Sequence, residues 1–452
     1  MGMYFGTDGI RGKAGDFLTS DVAYKLGKIL GWYKNKGNGN AKPVRVVIGK
    51  DTRKSSYMLE YSLVAGLTSV GADAYLMHVT TTPSIAYVTK TERFDFGIMI
   101  SASHNPYYDN GIKVFSDKGE KLSDKIIAEI EELLSSDIDI PFATELSIGR
   151  AIDYAIGRSK YCSFLTSVIK ELKGLKIVLD TANGSTYKIA KSVYELLGAN
   201  INVIECEPNG VNINKNCGST NIKNLQKEVV KLGADVGFAF DGDGDRCIAV
   251  GKNGEVYDGD AIMYLLAKNL HNNGELNKDK IAVTVMSNLG LINALKKEGI
   301  SCEFTPVGDR YVYEKMKEKS LSLGGENSGH IILQKYLNTG DGILTSLCVC
   351  DAILRGGDLS NQLKDLSFYP QITESVLVKN NKKVVEDETV KKAILQAEVI
   401  VNDGRILVRP SGTEPVVRIT AEAKTQIECE LAVAVIKKAV LDVNNNVLTN
   451  DE

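Results

Sequence analysis

Short apolar runs alternate with amphipathic stretches along most of the chain, and a polar turn separates each run from the stretch that follows it. The clearest runs are 44–48, 176–179 and 281–285, and the turns after them are 49–56, 180–185 and 286–290. Each turn leads into apolar positions at helical spacing. This order of strand, polar turn and helix predicts α/β domains with mixed or parallel sheets.

The same unit occurs three times along the chain. Residue identity between the three units is low. The pattern therefore indicates that the arrangement of strand, turn and helix is repeated, although the sequence is not. Ligands of such sheets bind at the carboxyl ends of the strands. We therefore expect the three polar turns to line the functional site.

The C-terminal part of the chain has a different pattern. Its predicted strands are 376–379, 405–409 and 416–420, and its predicted helices are 391–397 and 428–442. Positions 380–383 read as a polar turn, and the last residues, 444–452, read as a frayed tail. The pattern predicts a smaller α+β domain that starts near residue 370.

Size and composition bound the class of protein. A chain of 452 residues is too long for one hydrophobic core, so three or four domains are expected. Hydrophobic residues make up 43% and charged residues 25%, which is ordinary for a soluble globular protein. The net charge is −3 and no long basic stripe occurs, so the composition predicts no nucleic-acid partner.

The eight cysteines are scattered, no CxxC pair occurs and the chain has four histidines, so a structural zinc site is not expected. Free thiols favour a reducing compartment. The N-terminus shows no basic region followed by an apolar stretch, and no stretch is apolar and long enough to span a bilayer. We expect a cytoplasmic protein without a membrane partner.

One apolar run ends abruptly in a serine. Residues 97–103 lead to Ser103, and His104, Asn105 and Pro106 follow directly. A serine flanked by small residues, with a helix-breaking proline behind it, presents one hydroxyl at the mouth of a cleft. Ser103 is therefore the candidate carrier of a phosphoryl group.

A second run, 236–240, delivers three carboxylates, Asp241, Asp243 and Asp245, with glycines between them. Carboxylates this close repel one another unless a cation neutralises them, and a hard cation such as Mg²⁺ suits them. A calcium loop of the EF-hand type would need Gly and Glu where Arg246 and Lys252 stand. A phosphatase with an aspartate nucleophile also begins with Asp-x-Asp after a strand, as at Asp241 and Asp243, but it commonly has Thr two residues later, where this chain has Asp245.

The turn between the last two predicted strands is rich in cations and hydroxyls. Two guanidinium groups, two hydroxyls and a glycine suit the binding of a phosphate group. Prolines on both sides stiffen the turn. The candidate phosphate ligands are Arg409, Ser411, Gly412, Thr413 and Arg418.

Two further segments are candidate ligand loops. Glu326, Asn327, Ser328 and His330 offer acceptors and donors within five residues, which suits the hydroxyl groups of a sugar, although a glycine-rich hairpin would look similar. Near the N-terminus, a glycine-rich segment carries Arg11, which could close over an anion or stand in a structural turn. A nucleophile, a metal cluster and a separate phosphate site together indicate an enzyme that moves a phosphate group within one molecule.

These motifs resemble the α-D-phosphohexomutase superfamily over essentially the whole chain, with the landmarks in the family's order. Within it, the chain is similar to the phosphoglucosamine mutase branch. The segments that carry this similarity are 5–12, 100–113, 212–214, 217–219 and 326–328.

The resemblance implies a fold of three related mixed-sheet α/β domains and a C-terminal α+β lid domain around a central cleft. The domains would be 1–152 with the phosphoserine, 153–254 with the metal loop, 255–369 with the sugar loop, and 370–452 with the phosphate loop.

The resemblance also implies roles for the motif residues. Ser103 would be the phosphoserine and would give the metal one oxygen beside Asp241, Asp243 and Asp245. The implied cofactors are Mg²⁺, the phosphoserine and a hexose 1,6-bisphosphate as activator. Glu326, Ser328 and His330 would contact the sugar of a hexosamine phosphate. The protein would be a monomer or a homodimer.

The implied reaction interconverts glucosamine 6-phosphate and glucosamine 1-phosphate through a 1,6-bisphosphate, a step towards UDP-N-acetylglucosamine. A general acid or base must serve the sugar hydroxyl. Lys113, His330, Arg11 and Arg246 are candidates, and Lys113 is preferred. The alternatives are a phosphomannomutase/phosphoglucomutase, a Mg²⁺-dependent phosphatase and a non-catalytic sugar-phosphate sensor.

Overall fold

A computed structural model describes residues 4–6, 8–34, 42–411 and 415–449, with only the backbone course given for 445–449. The chain forms two compact units. The first consists of Met1–Met286 and Ile300–Lys364, and the second of Ser287–Gly299 and Asp365–Glu452. Within the described residues, no helix is long and apolar enough to cross a membrane.

The first sheet has seven strands in the order β1-β2-β6-β5-β3-β4-β7. The strands are β1 (Phe5–Gly6), β2 (Gly9–Lys13), β3 (Arg45–Lys50), β4 (Asp73–Val79), β5 (Phe96–Ile100), β6 (Asp109–Ser116) and β7 (Ala151–Asp153). Strands β5, β3, β4 and β7 are parallel, and β1, β2 and β6 add an antiparallel edge. The sheet is therefore mixed, and it places the carboxyl ends of β3 and β5 next to each other.

Helices cover both faces of this sheet. They are α1 (Ser20–Tyr33), α2 (Ser56–Thr68), α3 (Thr82–Thr91), α4 (Asp124–Ser135) and α5 (Ile156–Thr166), with a short 3-10 helix at Glu145–Ser147. The side chain of Thr19 caps α1 and that of Thr81 caps α3, as expected for threonine at a helix start. Gly27 and Gly66 let α1 and α2 approach closely, since a Cβ on Gly66 would lie 2.1 Å from a backbone oxygen of α1.

The second sheet has five strands in the order β12-β11-β10-β8-β9. Its elements are β8 (Lys176–Asp180), α6 (Thr186–Leu196), β9 (Asn200–Ile204), α7 (Lys223–Leu232), β10 (Val236–Phe240), β11 (Cys247–Gly251) and β12 (Val256–Tyr257). Strands β10, β8 and β9 are parallel, while β11 and β12 are antiparallel additions. This is the first sheet's arrangement in a smaller form.

The third sheet has four strands in the order β14-β13-β15-β16, again with a parallel centre and an antiparallel edge. The elements in chain order are α8 (Gly259–Asn272), a 3-10 helix (Asn277–Asp279), β13 (Lys280–Thr284), α9 (Leu289–Lys297), β14 (Ser301–Thr305), α10 (Asp309–Lys319), β15 (Leu323–Gly325), β16 (Ile331–Leu333), α11 (Gly342–Gly356) and α12 (Leu359–Gln362). Helix α9 belongs to the second compact unit, and the other elements belong to the first.

The second unit contains a three-stranded antiparallel sheet in the order β17-β19-β18. Its further elements are β17 (Gln371–Leu377), α13 (Asn381–Glu386), α14 (Glu388–Val401), β18 (Arg405–Pro410), β19 (Val416–Glu422) and α15 (Gln426–Thr449). Apolar side chains of α14, α15 and the sheet form a separate core.

The boundaries of both helices predicted in this unit differ from the sequence prediction. Helix α14 is longer than predicted at both ends, and α15 continues to Thr449 where a frayed tail was expected from residue 444. The polar turn expected at 380–383 is wrong, because Asn380 is an N-cap and its side chain accepts a hydrogen bond from Lys383 N at 3.1 Å. Asparagine favours both turns and caps, so composition alone did not distinguish the two.

The predicted fold class is confirmed: the chain is α/β, with three mixed sheets and a smaller C-terminal α+β part. All eight cysteines are free thiols.

Candidate active site

Ser103 lies just beyond the carboxyl end of β5, in a segment of residues 101–109 that we call the Ser103 loop and whose last residue is the first of β6. Its side chain is buried, with 1% of its surface exposed, and its backbone is left-handed at φ 52°. This conformation is costly for a residue with a side chain and persists where surrounding contacts enforce it. Ser103 Oγ donates a hydrogen bond to Asp241 Oδ2 at 2.5 Å, and His104 Nδ1 lies 3.4 Å away.

The three aspartates predicted as metal ligands converge at the carboxyl end of β10. One carboxylate oxygen from each of Asp241, Asp243 and Asp245 lies within 4.8 Å of the other two, and all three side chains are buried. Among the residues that the structure describes, no other group of three or more His, Cys, Asp or Glu side chains meets in this way. Thr82 Oγ1 donates to Asp243 Oδ2, and Arg246 N donates to Asp241 Oδ1 at 3.2 Å.

Burial and mutual repulsion separate the pKa values of these carboxyls. Burial, reinforced by the neighbouring Asp245 and Asp243, raises the pKa of Asp241 well above its ordinary value. Burial also opposes ionisation of Asp245, but Lys113, followed by His330, outweighs it and holds the pKa of Asp245 well below the ordinary value. Opposite shifts among adjacent carboxyls are typical of functional sites.

Lys113 supplies the nearest compensating charge. It lies on β6, is 3% exposed, and its Nζ is 2.9 Å from Asp243 Oδ2 and 3.3 Å from Asp245 Oδ2. A third carboxylate, that of Asp8, is 3.2 Å from the same Nζ. Burial lowers the pKa of Lys113, but the three carboxylates outweigh burial and raise it well above its ordinary value. The side chain is therefore an ammonium ion at neutral pH.

The aspartate cluster fits a divalent cation by its donor set. It offers only carboxylate oxygens, which are the ligands that Mg²⁺ prefers. Asp243 Oδ1 and Asp245 Oδ1 are buried and accept no hydrogen bond in the structure. A buried carboxylate oxygen without a partner costs free energy, and a coordinated cation removes that cost.

The predicted sugar loop follows β15 and belongs to the same compact unit. Glu326 Oε1 accepts from Gly308 N at 3.0 Å, and burial raises the pKa of this carboxyl. Ser328 Oγ is buried without a hydrogen-bond partner, and the backbone oxygen of Asn327 accepts from Gly259 N at 3.0 Å. No described residue thus uses the hydrogen-bonding capacity of the Ser328 hydroxyl.

His330 is buried between two carboxylates. Its Nδ1 lies 3.7 Å from Asp245 Oδ2, and its Nε2 lies 3.7 Å from Asp309 Oδ2. Burial lowers the pKa of His330, but Asp245, Asp309 and Glu326 outweigh burial and raise it above the ordinary value. Gly340 N donates to Nε2 at 3.0 Å, so the neutral ring carries its proton on Nδ1, towards Asp245.

A network of alternating charges joins the first and third sheets beside the aspartate cluster. Lys121 Nζ lies 2.5 Å from Asp8 Oδ1 and 2.6 Å from Asp309 Oδ2, and Arg11 Nη2 lies 2.9 Å from Asp8 Oδ2. Burial raises the pKa of Asp8, but Lys113, Lys121 and Arg11 outweigh it and lower the pKa below the ordinary value. The predicted catalytic residue Arg11 thus reaches the site through Asp8.

His104 is a poor carrier of charge at this site. Burial, followed by the charges of Arg246 and Arg11, lowers its pKa to about 4. The ring is therefore neutral near pH 7 and adds no charge beside Ser103. Arg246 stays charged: burial opposes its charge, but Asp241 and Asp245 outweigh burial and raise its pKa.

Sequence reasoning missed the contacts that fix the Ser103 loop. Arg53, which is fully buried, donates to the backbone oxygens of Ser103, Asn105, Pro106 and Asp109. The polar turn after β3 was noted, but nothing in its residue types pointed to four carbonyl groups some fifty residues away. Long-range contacts of this kind leave no local signal.

Two side chains complete the support of this loop. Asp51 accepts from Arg53 Nε at 2.7 Å and from Ser101 Oγ at 2.6 Å, and Ser101 Oγ in turn accepts from Ser103 N at 3.0 Å. The hydroxyl of Ser101 is thus engaged within the protein, whereas that of Ser103 faces the aspartates.

The predicted phosphate loop lies in the second compact unit. Arg409 on β18 and Arg418 on β19 are directly opposite each other across the sheet. Burial and the charge of Arg418 lower the pKa of Arg409. Like charges directly opposite each other are destabilising, and an anion between them removes the repulsion. Ser411 N donates to Val416 O at 2.9 Å, while Gly412 and Thr413 lie outside the described residues.

Four domain families match consecutive parts of the chain. They are the phosphoglucomutase/phosphomannomutase α/β/α domain I at residues 2–139, domain II at 159–254, domain III at 258–368, and the C-terminal domain at 375–438. Together they span most of the chain in one order. The chain belongs to the phosphoglucomutase/phosphomannomutase family.

Curated relatives within this family match nearly the full length of the chain. A phosphoglucosamine mutase of Lachnospira eligens is 51% identical over 95% of this chain and 96% of its own length. A phosphoglucosamine mutase of Caldicellulosiruptor bescii is 49% identical over 94% and 95%, respectively. That of Staphylococcus aureus strain JH9 is 46% identical over 98% of this chain and 99% of its own length.

Solved structures of this family have the same fold. A phosphoglucomutase/phosphomannomutase family protein from Burkholderia thailandensis matches with a TM-score of 0.80 at 25% identity, covering 96% of each chain. The N-acetylphosphoglucosamine mutase of Aspergillus fumigatus, solved in complex with GlcNAc-6P and magnesium, matches with a TM-score of 0.71 at 18% identity, covering 98% of this chain and 96% of that one. At that identity the likeness concerns the fold alone.

Proposed function

We propose that this family member interconverts glucosamine 6-phosphate and glucosamine 1-phosphate, which is the phosphoglucosamine mutase reaction, with Ser103 as the phosphoryl carrier. The observation that carries the proposal is the 2.5 Å hydrogen bond from Ser103 Oγ to Asp241 within a buried group of three aspartates. It joins a nucleophilic hydroxyl to a candidate metal site. Full-length relatives at 46–51% identity, all named phosphoglucosamine mutase, support the choice of substrate.

The proposed reaction consists of two phosphoryl transfers between Ser103 and the sugar, and neither transfer consumes a co-reactant. In the first step the bond between phosphorus and Ser103 Oγ breaks, a bond to the free hydroxyl oxygen of the hexosamine monophosphate forms, and that hydroxyl loses its proton. The 1,6-bisphosphate then turns end for end. In the second step the other phosphorus–sugar oxygen bond breaks, the bond to Ser103 Oγ forms again, and the sugar oxygen takes a proton.

The residues that would hold Mg²⁺ are Asp241, Asp243 and Asp245, and phosphorylated Ser103 would add an oxygen ligand. The all-oxygen donor set and the two unpartnered carboxylate oxygens support this assignment. A bound Mg²⁺ would neutralise charge on the transferred phosphoryl group.

Lys113 would act as a fixed cation beside the transferred group. Its raised pKa means that it holds its proton at neutral pH, so it can stabilise negative charge or donate a proton but not accept one. His330, whose neutral form carries the proton on Nδ1, would serve as the second group for proton movement. Arg11 would add positive charge through its pairing with Asp8.

Two groups of residues are the proposed substrate ligands. The carboxylate of Glu326, the side chain of Asn327 and the unpartnered hydroxyl of Ser328 would contact the sugar hydroxyls. The phosphate that does not react would bind to the C-terminal unit. The proposed ligands there are Arg409, Ser411, Gly412, Thr413 and Arg418.

An assay across three hexose phosphates tests the proposal. The purified protein is incubated with Mg²⁺, a catalytic amount of a 1,6-bisphosphate, and glucosamine, glucose or mannose 6-phosphate, and the 1-phosphates are followed by phosphorus NMR. We expect the fastest turnover with glucosamine 6-phosphate and none after chelation of Mg²⁺. Preference for glucose or mannose phosphate would instead support a phosphomannomutase/phosphoglucomutase.

The same assay separates the remaining classes. Release of inorganic phosphate without formation of a 1-phosphate would identify a phosphatase that uses Asp241. In the structure both oxygens of Asp241 already accept hydrogen bonds, from Ser103 and from Arg246 N, which disfavours that reading. If no substrate reacts and intact-mass measurement finds no phosphate on the protein, the results would support a non-catalytic sugar-phosphate sensor.

The domain division stays as proposed from the sequence: 1–152, 153–254, 255–369 and 370–452. The four matched domain ranges, which fall inside these limits, support it. We further propose a cytoplasmic monomer or homodimer, with the eight free thiols in favour of a reducing compartment.

A further inference from the structure

Two carbonyl groups of the Ser103 loop are each held from two sides. Arg53 Nη2 donates to Ser103 O and to Asn105 O, in both cases at 2.9 Å. Asn214 Nδ2 donates to the same two oxygens, at 2.9 Å and 3.1 Å. Because both partners are carbonyl oxygens, the amide of Asn214 must present its nitrogen to them.

The two donors come from different sheets. Arg53 follows β3 of the first sheet, which also carries the Ser103 loop, so it fixes the loop to its own domain. Asn214 lies between β9 and α7 of the second sheet, whose strand β10 leads into the aspartate cluster. Its amide therefore ties the loop that bears the nucleophile to the domain that bears the candidate metal ligands.

The backbone of Asn214 is firmly placed. Its N–H donates to Ala182 O at 2.9 Å, in the turn after β8, and its φ of 57° is left-handed, which asparagine tolerates better than most residues. The nearby Gly242 stands between two of the aspartates. A Cβ there would lie 2.6 Å from Ser103 O and 2.9 Å from Asn214 Nδ2. The amide, the carbonyl and the aspartate turn thus meet with no space for a side-chain carbon.

We infer that Asn214 is a positioning residue: its side-chain amide sets the distance and direction of Ser103 Oγ relative to the aspartate cluster. It acts through the backbone of the Ser103 loop, because its side-chain amide donates to Ser103 O and Asn105 O. This inference rests on the proposed function, because it assumes that phosphoryl transfer at Ser103 limits turnover. Its physical ground is that a displacement of about 1 Å of a reacting group can reduce a rate about a hundredfold.

The test compares two asparagines of the same loop. Asn216 is also left-handed, at φ 59°, but it is exposed, and among the described residues the hydrogen bonds to Ser103 O and Asn105 O from this loop come from Asn214. Replacing either residue by glycine keeps the left-handed backbone accessible and removes the side chain. Asn216→Gly is therefore a matched control for the backbone effects of Asn214→Gly.

The expected result is a split between the kinetic constants. Asn214→Gly should lower kcat about tenfold to a hundredfold, with KM for the hexosamine phosphate changed by less than about twofold, while Asn216→Gly matches the wild type. Asn214→Asp, which has the same shape but turns an acceptor towards two carbonyls, should lose more kcat than Asn214→Gly. Both glycine variants should show similar thermal midpoints.

Three outcomes would overturn the inference. They are equal kcat for the two glycine variants, a loss seen in KM alone, and an Asn214→Asp variant more active than Asn214→Gly. Failure of the proposed function looks different, because the wild-type protein would then form no 1-phosphate from any hexose 6-phosphate. Hydrogen exchange of residues 101–109, measured on the same variants, adds a readout that does not depend on activity: Asn214→Gly should accelerate it and Asn216→Gly should not.

Discussion

Replacing Arg53 by lysine should loosen the Ser103 loop without removing the buried positive charge. The guanidinium donates to four backbone oxygens of the loop and to Asp51 Oδ2 at 2.7 Å. A lysine ammonium has three donors at one point and no planar fork, so it cannot serve five acceptors. Some of these carbonyl groups must therefore lose their charged donor.

The expected loss of loop stability depends on which of the four carbonyl oxygens keep a second hydrogen-bond donor when Arg53 is replaced. Ser103 O and Asn105 O keep the amide of Asn214 at 2.9 Å and 3.1 Å, so their loss is partial. Pro106 O likewise keeps a second donor, the backbone N–H of Asp109 at 3.2 Å, and Asp109 O accepts from Arg53 Nη1 at 3.0 Å. Hydrogen bonds to charged groups contribute about 1.5–3 kcal/mol each. The free energy required to open the loop should therefore fall by about 2–4 kcal/mol in the lysine variant. That corresponds to a roughly 30- to 1,000-fold larger equilibrium constant for opening.

Hydrogen exchange measured by mass spectrometry is the suitable assay, because a chain with several domains does not unfold in one step. Peptides that cover residues 101–109 are compared between the wild type, Arg53→Lys and Arg45→Lys. Arg45 is the matched control: its Nη1 also donates to backbone oxygens, of Glu92 at 3.3 Å and Arg93 at 3.4 Å, away from the Ser103 loop.

Arg53→Lys should accelerate exchange in the loop peptides and reduce mutase turnover, and Arg45→Lys should change neither. If exchange of residues 101–109 in Arg53→Lys stayed within about threefold of the wild type, the four carbonyl contacts would not be what holds the loop, and the reasoning would fail.

Three further outcomes are expected. Ser103→Ala should abolish mutase turnover and the phosphate seen on the protein by intact mass; full activity would refute the mechanism. Arg418→Ala should raise KM for the sugar phosphate more than it reduces phosphorylation of Ser103, and the reverse would argue against a phosphate site on the C-terminal unit. Burial raises the pKa of Asp180 from 3.8 to about 7. Between these pH values the folded chain therefore holds a proton that the unfolded chain has released. The free energy of unfolding should then fall as pH rises, by up to about 1.4 kcal/mol per pH unit. Asp180→Asn should flatten the dependence of the thermal midpoint on pH over this window, and an unchanged slope would contradict the assignment.

The candidate site was predictable where its signal is local. Asp241, Asp243 and Asp245 follow one apolar strand at alternate positions, and Ser103 ends another, so a short window of sequence contains both motifs. The location of both at carboxyl strand ends follows from the general behaviour of α/β sheets. Lys113 was singled out as well, but its three carboxylate partners and raised pKa were not foreseeable from its neighbours along the chain.

By itself, the sequence determined the α/β class, the three related sheets, the serine and the aspartate cluster, because periodicity and turn chemistry depend on residues close together in the chain. Only the tertiary structure decided which polar groups meet. Ser103 and Asp241 are 138 positions apart, and the Asn214 amide reaches the Ser103 carbonyl across 111. Such contacts arise because the packing of sheets brings distant loops to one edge, where burial removes water and each polar atom must find a protein partner or a ligand.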